Sequence, residues 1–201
     1  LSDTGNNQDD VETINLPFTF RFYGVEYDQI SISSNGWIAM GETELESFRN
    51  YELPGVGGPS KMIAVFWDDL KTSNGGRVYT WYDQDQKKFY VEWSGVRTYQ
   101  NNTVETFQAV LFDPDYYVTP TGDGDILLQF KEFNNDSYGS YGWDQIHGVI
   151  KIISIKRHVE VHGVHAQGWH RDGGFERLGG LGAYQWVLIS DCGKPLKRMQ
   201  S

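Results

Sequence analysis

The feature that most constrains the fold is a regular alternation of apolar and polar residues between residues 16 and 41, LPFTFRFYGVEYDQISISSNGWIAMG. Alternate side chains of an extended strand lie on one face, which here would hold Phe18, Phe20 and Phe22. Ile30 and Ile32 continue the pattern, and Asn35-Gly36 is the strongest short signal for a hairpin turn. The stretch therefore predicts a strand, a turn, a strand, a second turn and a third strand.

The residues that follow extend the same architecture. MIAVFWDDL predicts a central strand buried on both faces, with the chain reaching the surface at Asp68-Asp69. GRVYTWYD and FYVEWSGV predict a hairpin, and TVETFQAVLFDP and GDILLQFKEF predict another antiparallel pair. Aromatic residues make up 15% of the chain and no long helical pattern precedes residue 140. We therefore expect an all-β fold, a two-sheet antiparallel β-sandwich of jelly-roll-like type.

The chain divides into three parts. Residues 1–13 form a polar N-terminal arm, residues 14–190 form a single sandwich domain, and residues 191–201 form a disordered basic tail. Residues 148–190 hold the closing elements: VIKIISIKRHVEVHGVH predicts one or two strands, a Gly-rich loop follows, and QWVLIS predicts the last strand. Their composition turns basic, so either this chain has its own closing elements or the reading frame changes near residue 148.

Charge and cysteine content exclude several functions. Residues 1–148 hold 9 Lys/Arg against 23 Asp/Glu, and such an acidic body repels the phosphates of nucleic acid. Cys192 is the one cysteine, which excludes an internal disulfide and a cysteine metal cluster. No apolar run approaches the roughly 18 residues that a membrane helix needs. Because the chain begins with Leu1, we expect it to be part of a longer precursor whose export signal lies upstream.

Several motifs in fixed order resemble a known family. The chain from LPFTFRFYG through SSNGWIAMG, IAVFWDDL and VYTWYDQDQKKFYVEWSGV to LLQFKEF resembles a β-sandwich module of secreted bacterial proteins. Those proteins are surface peptidases and adhesin-like chains associated with type IX secretion. FRFYG, SSNGWI and FWDDL are also similar, more distantly, to nidogen-type extracellular domains. The resemblance implies a secreted or cell-surface accessory module and supplies no catalytic residues.

Two metal sites are candidates. On a strand, His158, Glu160 and His162 would project from one face and offer ligands to zinc or another transition metal. Acidic turns favour a structural calcium ion, with Asp68 and Asp69 as the first ligands to consider. In both cases the simpler alternative is structural: a polar strand face for the histidines and ordinary turns for the aspartates.

Exposed aromatic side chains are candidates for binding sugars, because the apolar face of a pyranose stacks on Trp or Tyr. The pattern does not require burial of seven such residues, Trp81, Tyr99, Tyr116, Tyr117, Tyr138, Tyr141 and Trp143. Of these, Tyr138, Tyr141 and Trp143 lie in the Gly-rich segment NNDSYGSYGWDQ and are the main ligand-binding candidates. The alternative is that these aromatics fill the core of the sandwich.

Carboxylates offer a weaker catalytic hypothesis. Glu42, Glu44 and Glu46 alternate, and on a strand two of them could act as the acid and nucleophile of a sandwich-type glycosidase. The segment looks more like a solvated acidic edge that leads into a loop, and the prevention of aggregation is a sufficient reason for such an edge.

The sequence thus favours a non-catalytic extracellular accessory or interaction module of a larger secreted or cell-surface bacterial protein. Its expected partners are neighbouring domains of the same precursor, and also a glycan or a surface protein. The alternatives are a carbohydrate-binding domain that uses exposed Trp and Tyr, and a sandwich-type glycosidase.

Overall fold

Alternation of apolar and polar residues produces an all-β chain. The structure is a computed structural model that describes residues 1–5, 8–50 and 57–134, and the backbone of 149–154, 157–158 and 185–189. These residues contain no helix and form twelve strands: β1 (Val11–Phe22), β2 (Val25–Ser33), β3 (Trp37–Met40), β4 (Met62–Trp67), β5 (Leu70–Lys71), β6 (Arg77–Asp83), β7 (Lys88–Thr98), β8 (Val104–Phe112), β9 (Ile126–Glu132), β10 (Val149–Ser154), β11 (Arg157–His158) and β12 (Gln185–Ile189). β1 begins three residues before the expected start of regular structure.

The strands form two antiparallel sheets. The first has the order β1-β2-β3-β4-β10-β11 and the second has the order β12-β9-β8-β7-β5, with β6 also beside β7. β5 and β6 share one side of β7, since β5 pairs with Arg97 and Thr98 while β6 pairs with Lys88 to Ser94. The predicted two-sheet antiparallel sandwich is confirmed. Within each sheet the described strands run largely as a meander, without the Greek-key order of a jelly roll.

The main core lies between the sheets. Inward residues of the first sheet, among them Phe20, Ile30 and Ile63, pack in one cluster with inward residues of the second sheet such as Trp93 and Phe107. The alternation of the sequence explains this arrangement, because Phe20, Ile30 and Ile63 are fully buried at alternate positions of their strands. The predicted inward residues of β1 and β2 are therefore confirmed.

A second apolar cluster covers the other face of the first sheet. Trp37 and Trp67 lie there with Ala39, Met62 and Ala64, and all five are buried. The indole nitrogens of both tryptophans donate to the carbonyl oxygen of one residue, Ser47, each at 2.9 Å. The segment around Ser47 therefore covers this face. This explains why β4 is apolar throughout, and the prediction that it is buried on both faces is confirmed.

The Asn35-Gly36 turn was expected, and it joins β2 to β3. Gly36 has a φ of +78°, which favours glycine, and its carbonyl oxygen accepts from the amides of Val65 at 3.1 Å and Phe66 at 2.9 Å. A Cβ atom on Gly36 would lie 2.0 Å from the carbonyl oxygen of Phe66. The turn therefore fits against the end of β4 only because residue 36 has no side chain.

The sequence indicated that the chain reaches the surface at Asp68, but in the structure it does not. Asp68 is buried, its amide donates to the carbonyl oxygen of Asn35 at 3.3 Å, and its carboxylate accepts from the amide of Asp69 at 2.9 Å. Hydrogen bonds to the Asn35-Gly36 turn hold this segment inside the protein. The expectation was wrong for Asp68 because a polar residue was assumed to mark the surface.

The closing strands extend both sheets. β10 pairs with β4 and continues into β11, so the segment from Val149 forms two strands, the larger of the predicted numbers. β12 pairs with β9, as the expected last strand. The Gly-rich loop and the basic tail predicted around them lie outside the described residues.

Candidate functional site: an aromatic face on the second sheet

Large exposed aromatic side chains gather on the outer side of the second sheet. In β6, Val78 and Tyr82 contact the core, so the alternating residues Tyr79 and Trp81 point outward. Tyr79 is 56% exposed and Trp81 is 59% exposed. An exposed tryptophan on a regular strand is unusual, because burial of its ring is favourable. This face of the sheet is therefore the strongest candidate for contact with another molecule.

Pairing between strands extends this surface across the sheet. Trp81 lies opposite Tyr90 of β7, and their rings stack with centroids 5.1 Å apart and an interplanar angle of 30°. The loop after β8 adds Tyr116, which is 60% exposed, and Tyr117, whose ring centroid lies 5.0 Å from that of Tyr116. We call the five residues Tyr79, Trp81, Tyr90, Tyr116 and Tyr117 the aromatic face.

Hydrogen bonds fix the loop that carries the two neighbouring tyrosines. The amides of Tyr116 and Tyr117 donate to the carbonyl oxygen of Asp113 at 3.1 and 2.8 Å. The hydroxyl of Tyr117 donates to the carbonyl oxygen of Gln86 in the β6–β7 turn at 2.8 Å. The ring of Tyr117 also packs edge-on against Phe112, with centroids 4.9 Å apart. The loop is thus tied to the hairpin, and the aromatic face is largely formed before any ligand arrives.

Polar groups border the aromatic rings. The ammonium group of Lys88 lies 5.1 Å from the ring centroid of Phe112 and 5.7 Å from that of Tyr117. Glu92 lies opposite Tyr79, and Gln108 lies opposite Glu92 on the next strand. The face therefore combines flat apolar rings with a carboxylate, an amide and an ammonium group. This combination can bind a molecule that has both apolar patches and hydroxyl or amide groups.

The ionisation of the tyrosines suits this role. Burial raises the pKa of Tyr90, and the charge of Asp83 and the nearby Tyr117 raise it further. Desolvation likewise raises the pKa of Tyr117, with smaller effects of Tyr116 and Asp83. Both phenols stay neutral in the physiological range, so each hydroxyl keeps its one proton to donate. The Tyr117 hydroxyl donates to Gln86, which leaves the Tyr90 hydroxyl as the donor for a ligand.

A second polar cluster lies where the N-terminal arm docks. The amide of Asp3 donates to the hydroxyl of Thr72 at 2.9 Å, and the amide of Thr72 donates to the carbonyl oxygen of Asp3 at the same distance. The Asp3 carboxylate accepts from the Ser34 hydroxyl at 2.7 Å, and the Asp9 carboxylate accepts from the Asn35 side-chain amide at 2.8 Å. We call Asp3, Asp9, Ser34, Asn35 and Thr72 the arm latch.

The arm latch has a structural role, and its buried carboxyls should make the stability of the protein depend on pH. Burial raises the pKa of Asp3 and of Asp9, against the lowering effect of their hydrogen bonds. The folded state therefore keeps these two protons to a higher pH than the unfolded state does. The contribution of the two carboxyls to the free energy of unfolding falls as pH rises through their folded pKa values. We expect wild type to lose stability relative to Asp3→Asn as pH rises above the ordinary aspartate pKa of 3.8, measured by urea unfolding from about pH 4 to about pH 7. A difference that is constant across this range would contradict the assignment.

The predicted calcium ligands are placed in this neighbourhood. Asp68 is buried beside the turn, and Asp69 follows it. Within residues 1–5, 8–50 and 57–134, no group of three or more His, Cys, Asp or Glu side chains is arranged to hold a metal ion. Calcium at Asp68 and Asp69 therefore gains no support from the described geometry and stays a prediction.

Several predicted site residues lie outside the described residues. This holds for the sugar-binding candidates Tyr138, Tyr141 and Trp143, and for Glu160 and His162 of the proposed transition-metal site. For His158 the backbone alone is described, at the end of β11. These hypotheses stay predictions.

The carboxylates at Glu42, Glu44 and Glu46 do not lie on a strand. Residues 42–50 are irregular and form the segment that covers Trp37 and Trp67. The strand placement that the catalytic hypothesis required is therefore wrong. The glycosidase hypothesis was based on two carboxylates on one strand face, and this arrangement is not present at residues 42–50. Glycosidase activity itself is not tested by the structure.

The structure also adds residues that sequence reasoning missed. Trp81, Tyr99 and Tyr116 are exposed, as predicted, whereas Tyr117 is half-buried. Tyr79 and Tyr90 were not among the candidates. Their signal was present, because both take the strand face opposite to the core residues of their own hairpin. The arm latch gave no sequence signal.

No helix among the described residues is long and apolar enough to cross a membrane.

Comparison with known proteins identifies the family. No curated protein and no solved structure matches the chain significantly. The family model described as NIDO related matches residues 2–118, a range that includes the arm latch, the Asn35-Gly36 turn and the whole aromatic face. Because this match covers more than half of the 201 residues, the chain belongs to the NIDO-related family.

Proposed function

We propose that this chain is a non-catalytic extracellular interaction module within a larger secreted or cell-surface protein. The NIDO-related family supports an extracellular setting, in agreement with the nidogen-like motifs of the sequence. The observation that carries the proposal is the exposure of Tyr79 and Trp81 on a regular strand, beside the ordered tyrosines of the next loop. Exposed aromatic groups on a rigid sheet are typical of surfaces that bind other molecules.

The parent protein that we propose is a bacterial surface peptidase or an adhesin-like chain, in which this module lies beside another domain. The resemblance of the motifs from FRFYG to LLQFKEF supports this source. In such a protein the module contributes binding and spacing, and the neighbouring domain contributes any chemistry.

Carbohydrate is the ligand class that the aromatic face favours. The Trp81 ring stacks on Tyr90, yet 59% of Trp81 is exposed, which leaves ring surface for a pyranose. Glu92 and Gln108 lie one row away on the same side of the sheet and can bond sugar hydroxyls. A strongly acidic body also disfavours anionic ligands, so a neutral polysaccharide is the better candidate.

Retention on insoluble neutral polysaccharides and calorimetry with soluble oligosaccharides test this proposal. We expect wild type to bind at least one neutral polysaccharide, and Trp81→Ala to weaken that binding at least about tenfold because the stacking platform is lost. Tyr99→Ala is the matched control, since Tyr99 is also exposed but contacts Lys71, away from the aromatic face.

The outcomes separate the candidate functions. Equal loss of binding in Trp81→Ala and Tyr99→Ala, or no binding by wild type, would remove the sugar-binding function and leave a protein partner for the aromatic face. The same polysaccharides should release no new reducing ends. Hydrolysis that disappears in Glu44→Gln would overturn the non-catalytic proposal.

A further inference from the structure

Among the described residues, β6 is an edge strand with one unpaired side. All seven of its residues pair with β7 without a register shift, and no other described strand pairs with β6. Its side chains are largely exposed, including Arg77, Thr80 and Trp81. A regular edge strand presents a row of backbone donors and acceptors that can pair with another strand.

The edge strand β1 of the first sheet has features that hinder further pairing, and β6 lacks them. β1, the edge strand of the first sheet, contains Pro17 and a register shift between Asn15 and Phe20. Both features hinder the addition of another strand. β6 has neither a proline nor a bulge, and its charged residues lie only at its two ends. This difference indicates that β6 can accept a further strand.

The sequence of β6, RVYTWYD, is complementary to itself when it is read antiparallel about Thr80. Arg77 then lies opposite Asp83, and Thr80 lies opposite Thr80 of the second strand. Tyr79 lies opposite Trp81 on the outer side of the sheet. Each is a favourable cross-strand pair: opposite charges, two threonines, and two aromatic rings.

The remaining pair is Val78 with Tyr82, a β-branched residue opposite an aromatic one on the inner side. The charged pair also suits the hairpin. Asp83 uses its Oδ1 atom to accept from the amides of Asp85 at 3.0 Å and Gln86 at 2.9 Å. These bonds fix the Asp83 carboxylate at the end of the strand, and Oδ2 can accept from an arginine of a second copy.

We propose that β6 pairs antiparallel with β6 of a second copy of this chain, with Thr80 on the two-fold axis. The second sheets of the two copies then form one continuous sheet. Because Tyr79 and Trp81 lie on the same side in both copies, the two aromatic faces join across the axis. Such an interface is isologous, so it closes as a dimer and does not extend into a fibre.

The expected dimer is weak. Pairing of seven-residue strands buries less surface than the roughly 1,200 Å² at which stable interfaces begin. The acidic bodies of two copies also repel each other, so association should be measured near physiological ionic strength, about 0.15 M, where this repulsion is screened.

Sedimentation velocity over a range of concentrations tests the proposal with a pair of variants. Thr80→Lys places two ammonium groups together at the axis, and Thr80→Glu places two carboxylates there. We expect each variant alone to dimerise at least about tenfold more weakly than wild type, because like charges lie directly opposite each other. An equimolar mixture of the two should form a heterodimer at least as tight as the wild-type dimer.

Thr19→Lys is the control, because Thr19 is an exposed threonine on the protected strand β1. It should leave the wild-type dimer unchanged. Thr80 is exposed, so thermal melts of both variants should stay cooperative, which separates lost pairing from lost folding. Monomeric wild type at every concentration would overturn the proposal and leave the β6 edge to an extended segment of another protein. A wild-type dimer with no heterodimer in the mixture would equally overturn it.

Discussion

Replacing Gly36 with alanine should destabilise the protein by at least about 4 kcal/mol, enough to prevent folding if the wild type has ordinary stability. Two separate effects combine at this position. A φ of +78° is strained for alanine, which destabilises the folded state. In addition, the Cβ atom of alanine would lie 2.0 Å from the carbonyl oxygen and 2.8 Å from the carbonyl carbon of Phe66.

The chain around Gly36 cannot move away to relieve the clash. The carbonyl oxygen of Gly36 accepts from the amides of Val65 and Phe66, so the turn and the end of β4 are held together. The preceding residue, Asn35, is fully buried, and its side-chain oxygen accepts from the amide of Leu70 at 3.0 Å. Relief of the clash would break these hydrogen bonds and leave buried polar groups without partners, which is itself costly.

Gly75→Ala is the matched control. Gly75 has a φ of +94°, and a Cβ atom there would meet nothing within 4 Å. It therefore measures the backbone cost alone, about 1 kcal/mol, in urea unfolding. If Gly36→Ala cost no more than Gly75→Ala, the contact between the turn and β4 would not have the importance that we assign to it.

The sequence was sufficient to predict most strands, because alternation reports directly which residues share a face. It predicted the inward positions of Phe20 and Ile30 and the burial of β4 on both faces. It did not predict the burial of Asp68, since the backbone amide of this residue donates to the carbonyl oxygen of Asn35, far away in the chain. Hydrogen bonds between distant residues leave no local pattern.

For the candidate site too, the sequence predicts some features and only the tertiary structure shows the others. Alternation places Tyr79 and Trp81 on the face opposite to Val78 and Tyr82, but it does not say which face the rest of the protein covers. The outer face of the first sheet is covered, with Trp37 buried beneath the segment around Ser47. The outer face of the second sheet leaves Trp81 exposed. Only the tertiary structure distinguishes the two tryptophans.

The second large effect concerns Trp93, which joins the two sheets. Its side chain is fully buried, and its ring stacks on Phe107 with centroids 5.1 Å apart and an interplanar angle of 17°. Its indole nitrogen donates to the carbonyl oxygen of Ser33, at the end of β2, at 2.8 Å. Trp93→Ala removes the ring and this hydrogen bond, and we expect it to destabilise the protein by about 3 to 5 kcal/mol.

Two further variants divide this loss into its causes. Trp93→Phe retains most of the apolar contact but leaves the Ser33 carbonyl oxygen without its donor, so we expect a smaller loss of about 1 to 3 kcal/mol. Trp81→Ala removes the same type of side chain from an exposed position two residues before the β6–β7 turn and should cost less than about 1 kcal/mol. Urea unfolding of all three gives the ranking. If Trp81→Ala proved as destabilising as Trp93→Ala, the aromatic face would be part of the structural core, and its availability for binding would no longer follow from its exposure.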